Sequence, residues 1–183
     1  MKTRTPNAVA FLWGLAEATF FFIVPDVLLT RLALRDYRSA ALACLWALAG
    51  ALLGGFALWL AGRNGWTPFL PADFDRIPGI SPAMIAESAA ALESQGWIAL
   101  GQGVLSGRPY KLYAYHAGQL GAHPLAFLAA SAIARLARFL ATTTLAWGIG
   151  RALGNRSMRF RLSLHLAAWL LFYAVYFAAM ASP

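Results

Sequence analysis

Six ionisable residues stand inside stretches that are otherwise apolar: Glu17, Asp26, Arg108, Lys111, Arg135 and Arg138. A charge in hydrocarbon costs several kcal/mol, so such residues are functional candidates by default. Arg135 and Arg138 lie three apart, hence on one face of a helix. With Arg108 and Lys111 they can form a cationic pocket that receives a phosphate, the arginines offering forked donors. Glu17, beside Phe20, Phe21 and Phe22, and Asp26 would balance that pocket when empty, or carry protons where burial makes their charge costly. The alternative is structural: acids and arginines paired only to hold the chain in place. Asp26 would then cap a helix that starts after Pro25.

Other polar residues carry less. His116 and His123 lack a third ligand at metal spacing, and His165 stands alone in an apolar run, so all three are expected to pack. No metal or other cofactor is expected. Tyr110, Tyr113 and Tyr115 are expected to pack as well, while Trp59, Trp66, Trp147, Tyr173 and Tyr176 suit the aromatic belts at membrane interfaces. Cys44 is the only cysteine and lies in an apolar run, which makes it a small buried hydrophobe and excludes an internal disulfide.

The elements that must position these residues are helices in a bilayer. The chain has 183 residues, of which 60% are hydrophobic and 12% charged. With a mean hydropathy of +0.60, it has too little polar surface to wrap a soluble globule, whose charged share is roughly a quarter. Thirteen of its fifteen basic residues are arginine, and the net charge is +8. These residues flank apolar spans and form no stripe with interleaved aromatics, so nucleic acid is not expected as a partner. The start at Met1-Lys2 imitates a signal peptide. Glu17 and Pro25-Asp26 interrupt the run that follows and no small-x-small cleavage site appears, so the segment reads as retained.

Three spans are expected, over 39–62, 124–150 and 162–180. The first contains no charge, and Ala43, Ala47, Ala51 and Gly55, beside Gly50 and Gly54, offer small faces for close helix packing. Four arginines without an acid in 151–161 mark a cytoplasmic segment, as do Arg31, Arg35 and Arg38, and Lys2 and Arg4 at the N-terminus. The N-terminus and 31–38 therefore lie on one side, and 7–30 cannot cross. A dip that enters and leaves on the same side resolves this, broken at Pro25. A second dip, from the outer side, is expected over 97–121, broken by Gly107 and Pro109. Between them, 64–96 is an outer loop holding Asp73, Asp75, Glu87 and Glu93, with a surface helix over about 83–95 capped by Ser81-Pro82 and stopped at Gly96.

The fold class predicted is thus all-α integral membrane. Two inverted repeats, about 7–63 and 97–151, each combine a re-entrant helical hairpin with a transmembrane helix, and a C-terminal transmembrane helix follows. Pro25 precedes Arg63 by 38 residues and Pro109 precedes Arg151 by 42. Inverted repeats with broken segments meeting near the midplane are a transporter architecture.

The residues also resemble a known family. The stretch 11–29, FLWGLAEATFFFIVPDVLL, is similar to the first re-entrant hairpin of the DedA family, whose domain is also called VTT or SNARE-associated. Residues 108–121, RPYKLYAYHAGQLG, look like its second hairpin, with Lys111 and Gly118 on the basic and small positions. Residues 127–139, FLAASAIARLARF, look like its arginine-bearing helix. Leu105-Ser106-Gly107 stands where many members have Gly-Arg-Phe; this is similar to the shorter YqaA-like branch and leaves Arg108 as the candidate substitute. The resemblance implies movement of lipids such as polyprenyl phosphates or phospholipids, coupled in some members to the proton gradient.

The expected function is therefore a membrane lipid translocase, a flippase or scramblase for an anionic phospho-headgroup lipid. It is not an enzyme on this reading, and it sits in the inner or plasma membrane with a cytoplasmic N-terminus. Membrane lipids are its partners, and a homo-oligomer is left open. The alternatives are a lipid-modifying enzyme, for which no transferase, phosphatase or metal motif is present, and a scaffold that transports nothing.

Overall fold

The computed structural model describes residues 4–66, 74 and 76–181. Lys2, Asp73 and Asp75, used above for topology and loop charge, lie outside the described residues. Among the described residues eight helices of known bounds follow one another: α1 (Arg4–Thr19), α2 (Asp26–Ala33), α3 (Tyr37–Asn64), α4 (Pro82–Gln95), α5 (Trp97–Ser106), α6 (Tyr110–Gln119), α7 (Pro124–Ala152) and α8 (Met158–Ala181), and no strand occurs among those residues. By length and composition, three of them can cross a membrane: α3, α7 and, over Met158–Ala179, α8. Their 28, 29 and 22 residues give about 42, 44 and 33 Å at about 1.5 Å per residue, against a hydrocarbon core of about 30 Å. The other helices are too short; α1, with 16 residues, reaches about 24 Å.

The punctuation follows local chemistry. Asp36 caps α3 by accepting from the backbone amides of Ser39 at 2.9 Å and Arg38 at 3.4 Å. Hydrogen bonds from Ser39, its hydroxyl first and its amide next, hold this carboxyl below the usual aspartate range. Left-handed Gly65, at φ +62°, ends the helix. Ser81 caps α4 through Met84, with Pro82 at its first position. That helix is less of a surface element than the sequence implies: Met84, Ile85, Ser88 and Leu92 are buried, packed towards α5 and α6.

At the centre, α3 is flanked by α1 along its first half and by α6 along its second. Close approach explains its small residues. A Cβ at Gly50 would strike the Phe11 carbonyl of α1, and one at Gly118 of α6 would strike the Trp59 carbonyl of α3. Two cores result. One joins Leu58, Trp59, Met84, Leu112, Tyr113, Tyr115 and Phe127. The other joins Ala10, Leu29, Ala43, Cys44, Ala47 and Phe139. Trp59 is therefore a core residue and not part of an interfacial belt: it is 7% exposed and donates to the Ala122 carbonyl at 3.1 Å. By contrast, none of the apolar window of α8 is buried within the protein.

The same substitution should act oppositely at two glycines. Gly118→Ala should lose about 1–3 kcal/mol by forcing α6 off α3. Gly148→Ala meets nothing within 4 Å and should gain about 0.5–1 kcal/mol of helix propensity. Unfolding in mixed micelles reads both; equal effects would refute the close crossing at Gly118.

Candidate functional site

The link between α1 and α2, residues 20–25, is not helical, and its backbone groups must be satisfied from elsewhere if it lies at membrane depth. Three side chains do this. Trp13 Nε1 donates to the Ile23 carbonyl at 2.9 Å, Lys111 Nζ to the Phe21 carbonyl at 2.7 Å, and the Val24 amide donates to the Tyr173 hydroxyl at 2.9 Å. These bonds tie α1, α2, α6 and α8 around one point. On the second side, left-handed Gly107 closes α5, and Pro109, which lacks an amide hydrogen, opens α6.

Into this junction α7 projects Arg135 and Arg138. Arg135, 1% exposed, forms a buried ion pair with Glu17 of α1. Its guanidinium carbon lies 4.4 Å from the centre of the Tyr110 ring and 5.2 Å from that of Phe139, within cation–π range. Arg138 pairs with Asp26 of α2 at 2.7 Å. Thr142, one further turn along α7, donates to the other carboxylate oxygen of Asp26 at 2.8 Å. Asp26 thus spends its carboxylate on α7, and α2 starts without a side-chain cap. Plain capping does not describe it.

A cavity of about 450 Å³ opens at this junction, and all six candidates line it. Among the described residues, Lys111, Arg135 and Arg138 confront two carboxylates there, Glu17 and Asp26, an excess of one positive charge. Lys111 is 1% exposed and bonds to a carbonyl rather than to a carboxylate. The buried Nε atoms of Arg135 and Arg138 have no acceptor among the described residues. Much of the remaining wall is aromatic, with Phe21, Phe22, Trp169, Phe172, Tyr173 and Tyr176.

Three expectations need correction. Arg108 belongs at the mouth and not with the inner cations: it is bound at 2.7 Å to the exposed carboxylate of Glu87. Phe20 is 68% exposed and does not enclose Glu17, whereas Phe21 and Phe22 line the same cavity. Tyr173 and Tyr176 are cavity wall, bonded to Val24 and to the Gly79 carbonyl, rather than belt residues. Tyr110, Tyr113 and Tyr115 are buried, as packing residues. His116 bonds to Gln119, and His165 contacts Thr30 and Trp169. No three His, Cys, Asp or Glu side chains are grouped to hold a metal among the described residues. Thr142 and Trp13 were not singled out above. The signal for Thr142 was its place four residues after Arg138 on the same helix face.

No protein-family model, no curated protein and no solved structure matches this chain.

Proposed function

We propose that this chain is a multi-pass lipid translocase, related to the DedA family it resembles, that takes an anionic phospho-headgroup into the cavity between α1, α2, α6 and α7. The observation that carries this reading is the excess positive charge at the bottom of a cavity with aromatic walls. A headgroup with one negative charge neutralises the floor, and its tails run along the aromatic and lipid-facing side. The cavity wall of α8 lies on a helix otherwise exposed to lipid, which supports lateral access.

The same reading includes two inverted repeats. α1, α2 and α3 correspond to α5, α6 and α7, with Pro25 and Pro109 opening the equivalent arms α2 and α6. Two contacts favour that correspondence: α3 packs on α1 and α6, and α7 packs on α5 and α2. On this topology both short pairs are re-entrant, the N-terminus and 31–38 face the cytoplasm of an inner or plasma membrane, and α4 lies outside. Single cysteines at Thr5 and Arg35, on a Cys44→Ser background, should react from the same side. Reaction from opposite sides would remove the first hairpin.

Exchange of partners gives the site its chemistry. Phosphate oxygens compete with Glu17 and Asp26 for the two guanidinium groups; a carboxylate released in this way must take a proton or reach water to remain buried. Proton coupling through Glu17 and Asp26 follows from that exchange. The observation that favours a purely structural role is that each arginine already has an internal acid. Lysine separates the two readings, since a point charge suffices for an ion pair and replaces a phosphate fork poorly. Arg138→Lys should preserve folding and slow lipid movement about tenfold, equivalent to about 1.4 kcal/mol. Transport at the parental rate in proteoliposomes would leave the pair structural.

A further inference from the structure

A second recess, of about 270 Å³, lies between α2 and the first turns of α8. It is lined by Val27 and Arg31 from α2 and by Leu162, Ser163, His165 and Leu166 from α8. It is separate from the central cavity. His165 Nε2 lies 2.8 Å from the Thr30 hydroxyl, and Trp169 Nε1 donates to both at 3.2 Å. Trp169 itself belongs to the wall of the central cavity, so these three side chains form a partition between the two spaces.

Arg31 makes no ion pair among the described residues, unlike Arg108, Arg135 and Arg138. The serine hydroxyl and the imidazole complete a polar end; Val27, Leu162 and Leu166 form an apolar side that continues onto lipid-facing Leu166 and Leu170, 58% and 62% exposed. Close by in the chain stands the segment 151–161, with four arginines and no acid. A cation and a hydroxyl above an apolar groove, between helices at the basic side of a membrane protein, match an anionic lipid headgroup with its chains lying along the protein.

We propose that the α2–α8 recess is a second lipid site, which holds the phosphate of an anionic phospholipid from the leaflet beside the basic segments. The side assigned to that leaflet rests on the membrane topology above; binding itself does not require that the protein move lipid. Arg31 anchors the phosphate, Ser163 adds a hydrogen bond, and the acyl chains cover Val27, Leu162 and Leu166. A lipid seated there lies directly against the Thr30–His165–Trp169 partition.

The test is the affinity of the full chain in detergent for phosphatidylglycerol against phosphatidylcholine, followed by native mass spectrometry. A Lys111→Met background weakens binding in the central cavity, and the comparison with Arg31→Ala isolates the recess. Phosphatidylglycerol should be retained and phosphatidylcholine released. Arg31→Ala should weaken phosphatidylglycerol binding about tenfold or more, Arg31→Lys less, and Arg156→Ala, an exposed arginine outside the recess, hardly at all. Equal binding by Arg31→Ala and its parent overturns the proposal. So does an equal loss in Arg156→Ala, which would make the attraction a diffuse surface effect. Competition by glycerol phosphate as effective as that by the lipid would replace the lipid with a free phosphate and overturn the occupant. Failure of the parent protein to transport lipid, with this binding intact, would count against the central cavity alone.

Discussion

Replacing Arg135 by alanine is expected to lower the stability of the folded protein by about 3–5 kcal/mol, because it strands Glu17 as a buried charge without its partner. Loss of the guanidinium from between Tyr110 and Phe139 adds a packing defect of the same sign. The informative variant is the double one. In Arg135→Ala with Glu17→Gln, no carboxylate is left unpaired, so stability should return to within about 1–2 kcal/mol of the parent. Lipid movement should nevertheless stay abolished, since the headgroup has lost one of its two forks. Unfolding in mixed micelles gives the first quantity and a proteoliposome assay the second. If the double variant recovered transport together with stability, Arg135 would be a strut and nothing more.

Lys111 should show the opposite relation between stability and activity. Its ammonium is buried and, among the described residues, bonded only to the Phe21 carbonyl, while Glu17 is taken by Arg135. A cation held at such a place is costly in the empty protein. Lys111→Met keeps the length and apolar stem of the side chain and removes the charge. It should change stability by no more than about 1 kcal/mol, the loss of one hydrogen bond offsetting the relief of a buried charge. Transport of an anionic headgroup should fall about a hundredfold or more, equivalent to about 2.7 kcal/mol. A large stability loss with unimpaired transport would reverse the assignment and make Lys111 a clamp on the 20–25 link.

The two outcomes use different parts of the same physics, and this bears on how far the chain could be read in advance. Spans 39–62 and 124–150 were legible because hydropathy and flanking arginines bound them. The helices α3 and α7 exceed those limits only by two residues at each end of α3 and by two at the end of α7. The six charges within apolar segments were legible for a related reason: nothing in an apolar segment hides an Arg or a Glu, and all six border one cavity. Their partners were not. That Arg135 takes Glu17 and Arg138 takes Asp26 depends on how α7 is rotated against α1 and α2, and no local pattern encodes this. Arg108 found Glu87 at the mouth because α4 packs inward instead of lying on the surface.

The aromatic residues mark the limit more sharply. Tyr173 and Tyr176 occur near the end of an apolar helix, where belts are common. Hydropathy cannot tell a face turned to lipid from one that closes a cavity, and both tyrosines bond to backbone in other segments. Trp59 shows the same ambiguity in the core, where its indole reaches the Ala122 carbonyl. The glycines of α3 were read correctly as contact points, yet which helix meets which half of α3 became clear only from the carbonyls that Gly50 and Gly118 face.

The central claim, that the cavity floor receives an anionic phospho-headgroup and passes it across the membrane, is tested most directly by lipid movement in proteoliposomes. Purified parent and Lys111→Met should be reconstituted with fluorescent phosphatidylglycerol, phosphatidylcholine or a polyprenyl phosphate, and headgroup exposure followed with time. The parent should move at least one of the two anionic lipids well above protein-free vesicles, with little effect on phosphatidylcholine, and Lys111→Met should lose that movement while remaining folded. Movement of all three lipids at equal rates, or of none above the protein-free background, would contradict the claim.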